Sequence, residues 1–149
     1  IIATAITFGA KAKDLFHLDL AYAPPFATTK DLILYTGMIL NNAINRGRKI
    51  ITPEELKNRL LKGKDIMILD VREEQNFKKG HIPQAISIPL ALIRKKATEL
   101  DKNKVYITYC NKGTSGNAAQ NILINLGFKK VYNLSGGYKN YETTFKYLS

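Results

Sequence analysis

Cysteine is almost absent from this chain of 149 residues, which contains only Cys110. A single cysteine excludes an internal disulfide framework and a zinc site built from several cysteines. Such a composition is typical of proteins in a reducing compartment. We therefore expect a cytoplasmic protein without a bound metal ion.

A long hydrophobic run is missing as well. The apolar residues 1–10 carry no charged segment before them and are far too few to span a bilayer, so we expect no membrane partner. The chain begins at Ile1, in mid-pattern and without an initiator methionine. This start indicates a fragment of a longer protein.

Acidic residues are few, because 12 aspartates and glutamates stand against 23 lysines and arginines, a formal net charge of +11. This excess favours anionic ligands by long-range attraction. The basic residues are scattered, however, and form no stripe interleaved with aromatic residues of the kind that nucleic-acid grooves usually have. We therefore expect anionic ligands and no nucleic acid.

Strand-like and helical segments alternate from about residue 52 onward, and 45% of the chain is hydrophobic, enough for one ordinary core. Thr52 and Pro53 are a strong helix start, with Thr52 as the N-cap. The pattern predicts strands at 66–71, 86–88, 104–109 and 131–134, and further helices at 90–100, 117–126 and 138–147. Such alternation is typical of an α/β domain in which helices cover a parallel sheet.

The first 45 residues do not follow this alternation. Residues 1–10 and 31–44 have helical patterns, but Pro24 and Pro25 prevent a continuous helix between them. Two short helices cannot bury a core on their own. We therefore divide the chain into an appendage at 1–45, a linker at 46–51 and a complete domain at 52–149.

Cys110 stands where the apolar segment 105–109 runs into a glycine-containing loop, directly before a helical pattern. Backbone N–H groups and the positive end of a helix dipole at such a turn favour an anion, including a thiolate. The position is that of a nucleophile. The alternative is a buried, inert cysteine that acts as a small hydrophobic residue.

Four motifs occur in register along the second part of the chain: Asp70-Val71-Arg72-Glu73, Gly80-His81-Ile82-Pro83, the Cys110 loop with Gly113, and Ser135-Gly136-Gly137-Tyr138. In their order and spacing, residues 50–149 resemble the rhodanese-like domains. The resemblance implies a five-stranded parallel sheet flanked by helices, in which the active cysteine heads a loop around the substrate sulfur.

The resemblance also implies a sulfurtransferase mechanism. The Cys110 thiolate attacks a sulfane sulfur of thiosulfate, polysulfide or coenzyme A persulfide, and a thiol acceptor or cyanide then removes the sulfur from the resulting persulfide. The substrate-binding loop comprises Asn111, Lys112, Gly113, Thr114, Ser115 and Gly116. This chemistry uses no cofactor in this chain.

The loop departs from the family pattern at Ser115, where many active rhodanese-like loops carry an arginine. The sulfonate of thiosulfate requires a cation, and Lys112 is the nearest candidate. Cysteine-based phosphatases of related fold need an arginine one position later, where Gly116 stands, which argues against phosphate chemistry. A non-catalytic docking or sulfur-sensing module remains the alternative.

Asp70, Arg72 and His81 are predicted to support the site rather than to react. Asp70 ends a buried strand on the side of a parallel sheet where ligands bind, and we expect it to brace the loop or to pair with Arg72. His81 precedes Pro83 and is expected to fasten a turn through its side chain.

The first segment carries the string Tyr22-Ala23-Pro24-Pro25-Phe26, followed by Lys30-Asp31. It resembles the end of the dimerisation domain of FAD-dependent pyridine nucleotide-disulfide oxidoreductases, closest to the coenzyme A-disulfide reductase and NADH oxidase branch. The resemblance implies the tail of a homodimeric reductase-rhodanese fusion, with Tyr22 reaching across the dimer. FAD and NAD(P)H would bind to reductase domains that this chain lacks.

Overall fold

The computed structural model describes residues 1–18, 32–63 and 65–146, which belong to two compact units at 1–47 and 48–149. The first unit contains three helices, α1 (Ile2–Thr7), α2 (Ala12–Phe16) and α3 (Leu32–Asn45). Helix α2 packs on α3 where Gly37 leaves room, since a Cβ there would lie 3.0 Å from that of Leu15. Large apolar side chains of this unit, such as Phe8 and Leu32, stay exposed.

The second unit is built on one sheet of five parallel strands in the order β1-β5-β4-β2-β3. This architecture confirms the predicted α/β fold. The strands are β1 (Lys49–Ile51), β2 (Ile66–Asp70), β3 (Ala85–Ser87), β4 (Val105–Tyr109) and β5 (Lys130–Leu134).

Strand β1 corrects the sequence prediction, because it lies inside the segment 46–51 that we assigned to a linker. Lys49 pairs with Tyr132 and Ile51 with Leu134, so these residues extend the sheet beyond β5. The strand has only three residues and only Ile51 is buried, which leaves no alternation for a sequence pattern to reveal. The linker prediction is therefore wrong for Lys49–Ile51.

The helices that cover the sheet are α4 (Pro53–Leu61), α5 (Glu74–Lys79), α6 (Ile93–Lys96), α7 (Thr114–Asn125) and α8 (Gly137–Lys146). Thr52 caps α4 as predicted, with its Oγ1 accepting the Glu55 N–H at 3.2 Å. Helix α5 was not predicted. The single helix predicted at 90–100 is instead α6 flanked by two 3₁₀ turns, Leu90–Leu92 and Ala97–Glu99.

Two apolar clusters form the core of this unit. One gathers Leu69, Tyr106 and Leu123, and the other contains Ile51, Ile68 and Ile107. Successive residues of β2 and β4 thus enter different clusters, because side chains alternate between the two faces of a strand. In the parallel register Asp70 lies opposite Tyr109, so both strands end at one edge of the sheet.

No helix within 1–18, 32–63 and 65–146 combines the length and the apolar character needed to cross a membrane.

Candidate functional site

Cys110 follows the last residue of β4 and is buried, with only 7% of its surface exposed. The backbone N–H of Gly113 donates to its Sγ at 3.2 Å. The loop between these two residues therefore curls back over the sulfur. A sulfur atom that accepts a main-chain N–H is placed to carry negative charge.

The loop that begins at Cys110 is held from behind by β4 and β5. Gly113 has a φ of +105°, and its carbonyl accepts the Asn117 N–H at 2.9 Å and Asn133 Nδ2 at 3.1 Å. The Gly116 carbonyl accepts Thr108 Oγ1 at 2.9 Å. These contacts fix the loop as a short turn between the sheet and α7.

Helix α7 begins at Thr114, three residues earlier than predicted, so the loop residues 114–116 form its first turn. Their N–H groups have no intrahelical partner, as in the first turn of any helix. The partial positive charge of this helix end lies beside Cys110. An anion bound at Sγ is thereby stabilised.

The start of α8 supports the Cys110 loop from the other side. The N–H of Tyr138 donates to the Cys110 carbonyl at 2.7 Å, and that of Lys139 donates to the Asn111 carbonyl at 3.2 Å. Gly137 has a φ of +64°, and a Cβ there would overlap the Cys110 carbonyl oxygen. The motif Ser135-Gly136-Gly137-Tyr138 thus brings a helix end into close contact with the Cys110 loop.

Asp70 and Arg72 form the buried ion pair that the sequence led us to expect, with Nη2 to Oδ2 at 2.5 Å. Burial alone lowers the pKa of Arg72, but the hydrogen bond and the charge of Asp70 raise it above its ordinary value. The same guanidinium donates to the Gly80 carbonyl at 2.7 Å and to Asn111 Oδ1 at 3.3 Å. One side chain therefore links β2, the turn at Gly80 and the loop.

Tyrosine rings lie around this ion pair. The Arg72 guanidinium carbon stands 4.3 Å from the centre of the Tyr138 ring. Burial and a hydrogen bond to Asp70 raise the pKa of Tyr109 well above its ordinary value. The Tyr109 hydroxyl also accepts the N–H of Ile82 at 3.3 Å. This bond lowers the pKa of Tyr109, but burial outweighs it, so the side chain acts as a neutral structural group.

His81 lies apart from the reactive loop. Its Nδ1 is 3.0 Å from the Phe77 carbonyl, and its ring stacks on that of Phe77 with the centres 3.9 Å apart. These are the local contacts expected of a residue that fastens a turn. Tyr22, the other predicted contact residue, lies outside the described residues.

A cavity of about 500 Å³ opens over Cys110. Asn111, Lys112, Thr114 and Ser115 line it, whereas Gly113 and Gly116 are buried behind the loop surface. Arg72 reaches its wall, and Asp70 lies behind Arg72. The structure thus brings the predicted loop and its buried support together around one open space.

Two charged residues of the cavity wall, Glu73 and Lys139, were not among the predicted site residues. Glu73 ends the motif that begins at Asp70, and Lys139 directly follows the motif that ends at Tyr138, so this proximity was the available signal. Among residues 1–18, 32–63 and 65–146, no group of three or more histidine, cysteine or acidic side chains is arranged to hold a metal ion.

The fold and the site together define a class of α/β proteins in which a cysteine ends a central parallel strand and a helix-capping loop surrounds its sulfur. Residues 52–144 match the family model for the rhodanese-like domain. The chain belongs to the rhodanese-like domain family.

Among its relatives is the thiosulfate sulfurtransferase GlpE of Coxiella burnetii, 34% identical over 83 residues, which are 56% of this chain and 78% of the relative. Another is the putative sulfur carrier protein YrkF of Bacillus subtilis, 34% identical over 91 residues, 61% of this chain and 49% of that protein.

Two solved structures match nearly the whole chain. Reduced CoADR-RHD of Bacillus anthracis has a TM-score of 0.87 and 32% identity, covering 98% of this chain and 26% of its own. The NAD-dependent persulfide reductase of A. fulgidus has a TM-score of 0.77 and 32% identity, covering 94% of this chain and 24% of its own. The present chain thus spans about a quarter of each of these proteins.

Proposed function

We propose that this chain is a sulfurtransferase domain that carries sulfane sulfur as a persulfide on Cys110. The observation that carries the proposal is the position of Sγ, which accepts the Gly113 N–H at 3.2 Å and lines an open cavity of about 500 Å³. The thiosulfate sulfurtransferases among its relatives support the same chemistry.

The first step is attack of the Cys110 thiolate on the sulfane sulfur of the donor. A new S–S bond forms to Cys110, and the donor's own bond to that sulfur breaks, so the leaving group departs with the electron pair. An acceptor thiolate then attacks the outer sulfur of the persulfide and restores the Cys110 thiolate. Both steps proceed between anions and require no general base.

The loop supplies the stabilisation that these anions need. The Gly113 N–H already contacts Sγ, and the first turn of α7 presents further main-chain donors beside it. Donors fixed by the sheet and by α8 need little reorganisation when charge moves onto the outer sulfur. We assign Cys110 as the catalytic residue and 111–116 as the binding loop.

The position and the surroundings of Gly116 favour sulfur over phosphate chemistry. It occupies the position at which cysteine-based phosphatases need an arginine, but a Cβ there would overlap Asn133 Oδ1. An arginine at this position would require the Asn133 side chain to move, and that side chain donates to the Gly113 carbonyl of the loop.

We further propose that the parent protein is a homodimeric reductase that uses FAD and NAD(P)H to reduce coenzyme A disulfide or persulfide. The match with CoADR-RHD supports this proposal because its 98% coverage includes the first unit as well as the rhodanese-like domain. In this proposal residues 1–45 complete the dimerisation domain, Tyr22 faces the partner subunit, and the domain at 52–149 exchanges sulfur with the reductase.

Intact mass spectrometry tests the sulfur-carrier function. Incubation with polysulfide or thiosulfate is expected to add one sulfur atom to the chain, and the adduct is expected to vanish on treatment with dithiothreitol. The variant Cys110→Ser is the control and is expected to gain nothing. A wild-type chain that takes sulfur from neither donor contradicts the proposal and favours a docking or sensing module instead.

A further inference from the structure

Lys139 is anchored next to the reactive loop although it lies 29 positions after Cys110 in the sequence. Its backbone N–H donates to the carbonyl of Asn111, the loop residue that follows Cys110, at 3.2 Å. Lys139 is also one of the residues that line the cavity over Cys110, and it is exposed to solvent. The start of α8 therefore brings a lysine to the wall of this cavity.

The ionic groups of the cavity wall do not balance. Arg72 is neutralised by its ion pair with Asp70, whereas Lys112, Lys139 and Glu73 form no ion pair with any residue in the described ranges. Outside the ion pair of Arg72, the residues that line the cavity thus include two lysines and one glutamate without ion-pair partners. Lys139 decides the net formal charge of the cavity wall. The charges of Lys112 and Glu73 cancel, so the wall is positive with Lys139 and neutral without it.

We propose that Lys139, together with Lys112, holds a small oxyanion group of the sulfur donor above Cys110. The inference rests on the proposed function and deepens it, since it names the chemical class of the donor. A lysine from α8 then supplies the cation that Ser115, a neutral residue in the loop, does not provide. Thiosulfate, whose sulfonate is such a group, becomes a competent donor despite the altered loop.

The step is balanced without any further reactant. The Cys110 thiolate bonds to the sulfane sulfur of thiosulfate, the bond between the two sulfurs of thiosulfate breaks, and sulfite leaves with the electron pair. The outer sulfur of the persulfide keeps the negative charge that it carried in thiosulfate. The electron pair of the broken bond leaves with sulfite, so the total charge is conserved. Lys139 and Lys112 neutralise the sulfonate before the step and the sulfite after it, and neither transfers a proton.

Alkylation of Cys110 tests the inference without relying on sulfur transfer. Iodoacetate carries a carboxylate and iodoacetamide does not, and the only cysteine of the chain gives a clean mass readout. Lys139→Gln is expected to lower the ratio of the iodoacetate rate to the iodoacetamide rate about fivefold at low salt, and less at high salt. Glu73→Gln is expected to raise the same ratio.

Lys95→Gln is the matched control, because it removes one charge from an exposed helix residue that does not line the cavity. It is expected to leave the ratio unchanged. A ratio that is the same in Lys139→Gln and in the wild type overturns the inference.

The donor comparison gives a second readout. Lys139→Gln is expected to slow persulfide formation from thiosulfate about fivefold at subsaturating donor. The rate from a neutral organic trisulfide is expected to stay the same, and an equal loss with both donors overturns the inference. Should the wild type form no persulfide at all, the proposed function fails, while the alkylation ratio still decides the role of Lys139.

Discussion

Gly137 shows how a single residue determines the shape of the Cys110 loop. It begins α8 with a φ of +64°, a backbone conformation that other residues rarely adopt. It also lies directly against the carbonyl groups of Cys110 and Asn111, where a methyl group has no room. The hydrogen bonds from Tyr138 and Lys139 to the loop depend on this close approach.

Gly137→Ala is therefore expected to destabilise the fold by about 2–4 kcal/mol, since strain in the backbone adds to overlap with the loop. The matched control is Gly63→Ala, because Gly63 has a φ of +62° but nothing within 4 Å of the place that a Cβ would take. It is expected to cost about 1 kcal/mol from backbone strain alone. Urea denaturation measures both, and equal losses contradict the close-packing account.

The ion pair of Asp70 and Arg72 acts at the scale of secondary-structure elements. Asp70 ends β2, while Arg72 reaches the Gly80 carbonyl after α5 and the Asn111 side chain after β4. Three chain segments are thus tied to one guanidinium, and the most distant of them, at Asn111, lies 39 positions from Arg72. The geometry requires arginine, because a lysine ammonium has no planar fork for two or more directed partners.

Arg72→Met is expected to lower the free energy of unfolding by about 3–5 kcal/mol, because it leaves the Asp70 carboxylate buried without its partner. It is also expected to slow persulfide formation, since Asn111 loses a contact that holds the loop. Lys78→Met breaks an exposed ion pair with Glu74 and is the control, with stability nearly unchanged. Similar behaviour of the two variants in thermal and urea unfolding contradicts the role assigned to Arg72.

The segment 90–100 shows why a helical sequence pattern alone does not determine the secondary structure that forms. The N–H of Leu90 donates to the carbonyl of Val71 at 3.1 Å, and that of Leu92 donates to Pro89 at 2.8 Å. The segment therefore begins with a contact to the end of β2 and a 3₁₀ turn. Its apolar spacing predicted a single helix, but the N–H groups of Leu92 and Leu100 each donate to the carbonyl three residues earlier, which makes a 3₁₀ turn at either end.

At the scale of the whole molecule, tyrosines make the free energy of unfolding depend on pH in the alkaline range. Burial and a hydrogen bond to Asp70 raise the pKa of Tyr109, and burial also raises those of Tyr106, Tyr138 and Tyr141. An unfolded chain releases these protons at about pH 10, whereas the folded chain retains them to higher pH. Stability from this source is therefore full below about pH 10 and declines as the pH rises through the folded pKa values.

Tyr109→Phe is expected to make this alkaline decline in the free energy of unfolding shallower, by as much as about 1.4 kcal/mol per pH unit. The variant lacks one hydroxyl group that loses its proton at lower pH in the unfolded chain than in the folded chain. Urea denaturation between about pH 8 and pH 11.5 measures the slope for both chains. The difference between them at the lower pH serves as the control, since it reports the lost hydroxyl contacts with Asp70 and with the Ile82 N–H and no titration. An unchanged slope at the alkaline end contradicts the assignment.

Much of the fold was predictable because its pattern is local. Four of the five strands and the cap at Thr52 follow from apolar runs and from helix start signals in neighbouring residues. Strand β1 was not predictable from its sequence. It has three residues and one buried side chain, and it is a strand only because it pairs with β5. The Cys110 loop was located by its motifs, but its earlier helix start depends on contacts from Thr108 and Asn133.

The sequence by itself determined the position of the single cysteine, the parallel α/β pattern and the absence of a loop arginine at Ser115, since these depend on residue identity and local order. Only the tertiary structure decided which charges face Cys110. Parallel pairing brings the ends of β2 and β4 together, and the tight turn at Gly137 places Lys139 at the wall of the cavity over Cys110. Residues distant in the chain meet there because the sheet gathers its strand ends at one edge.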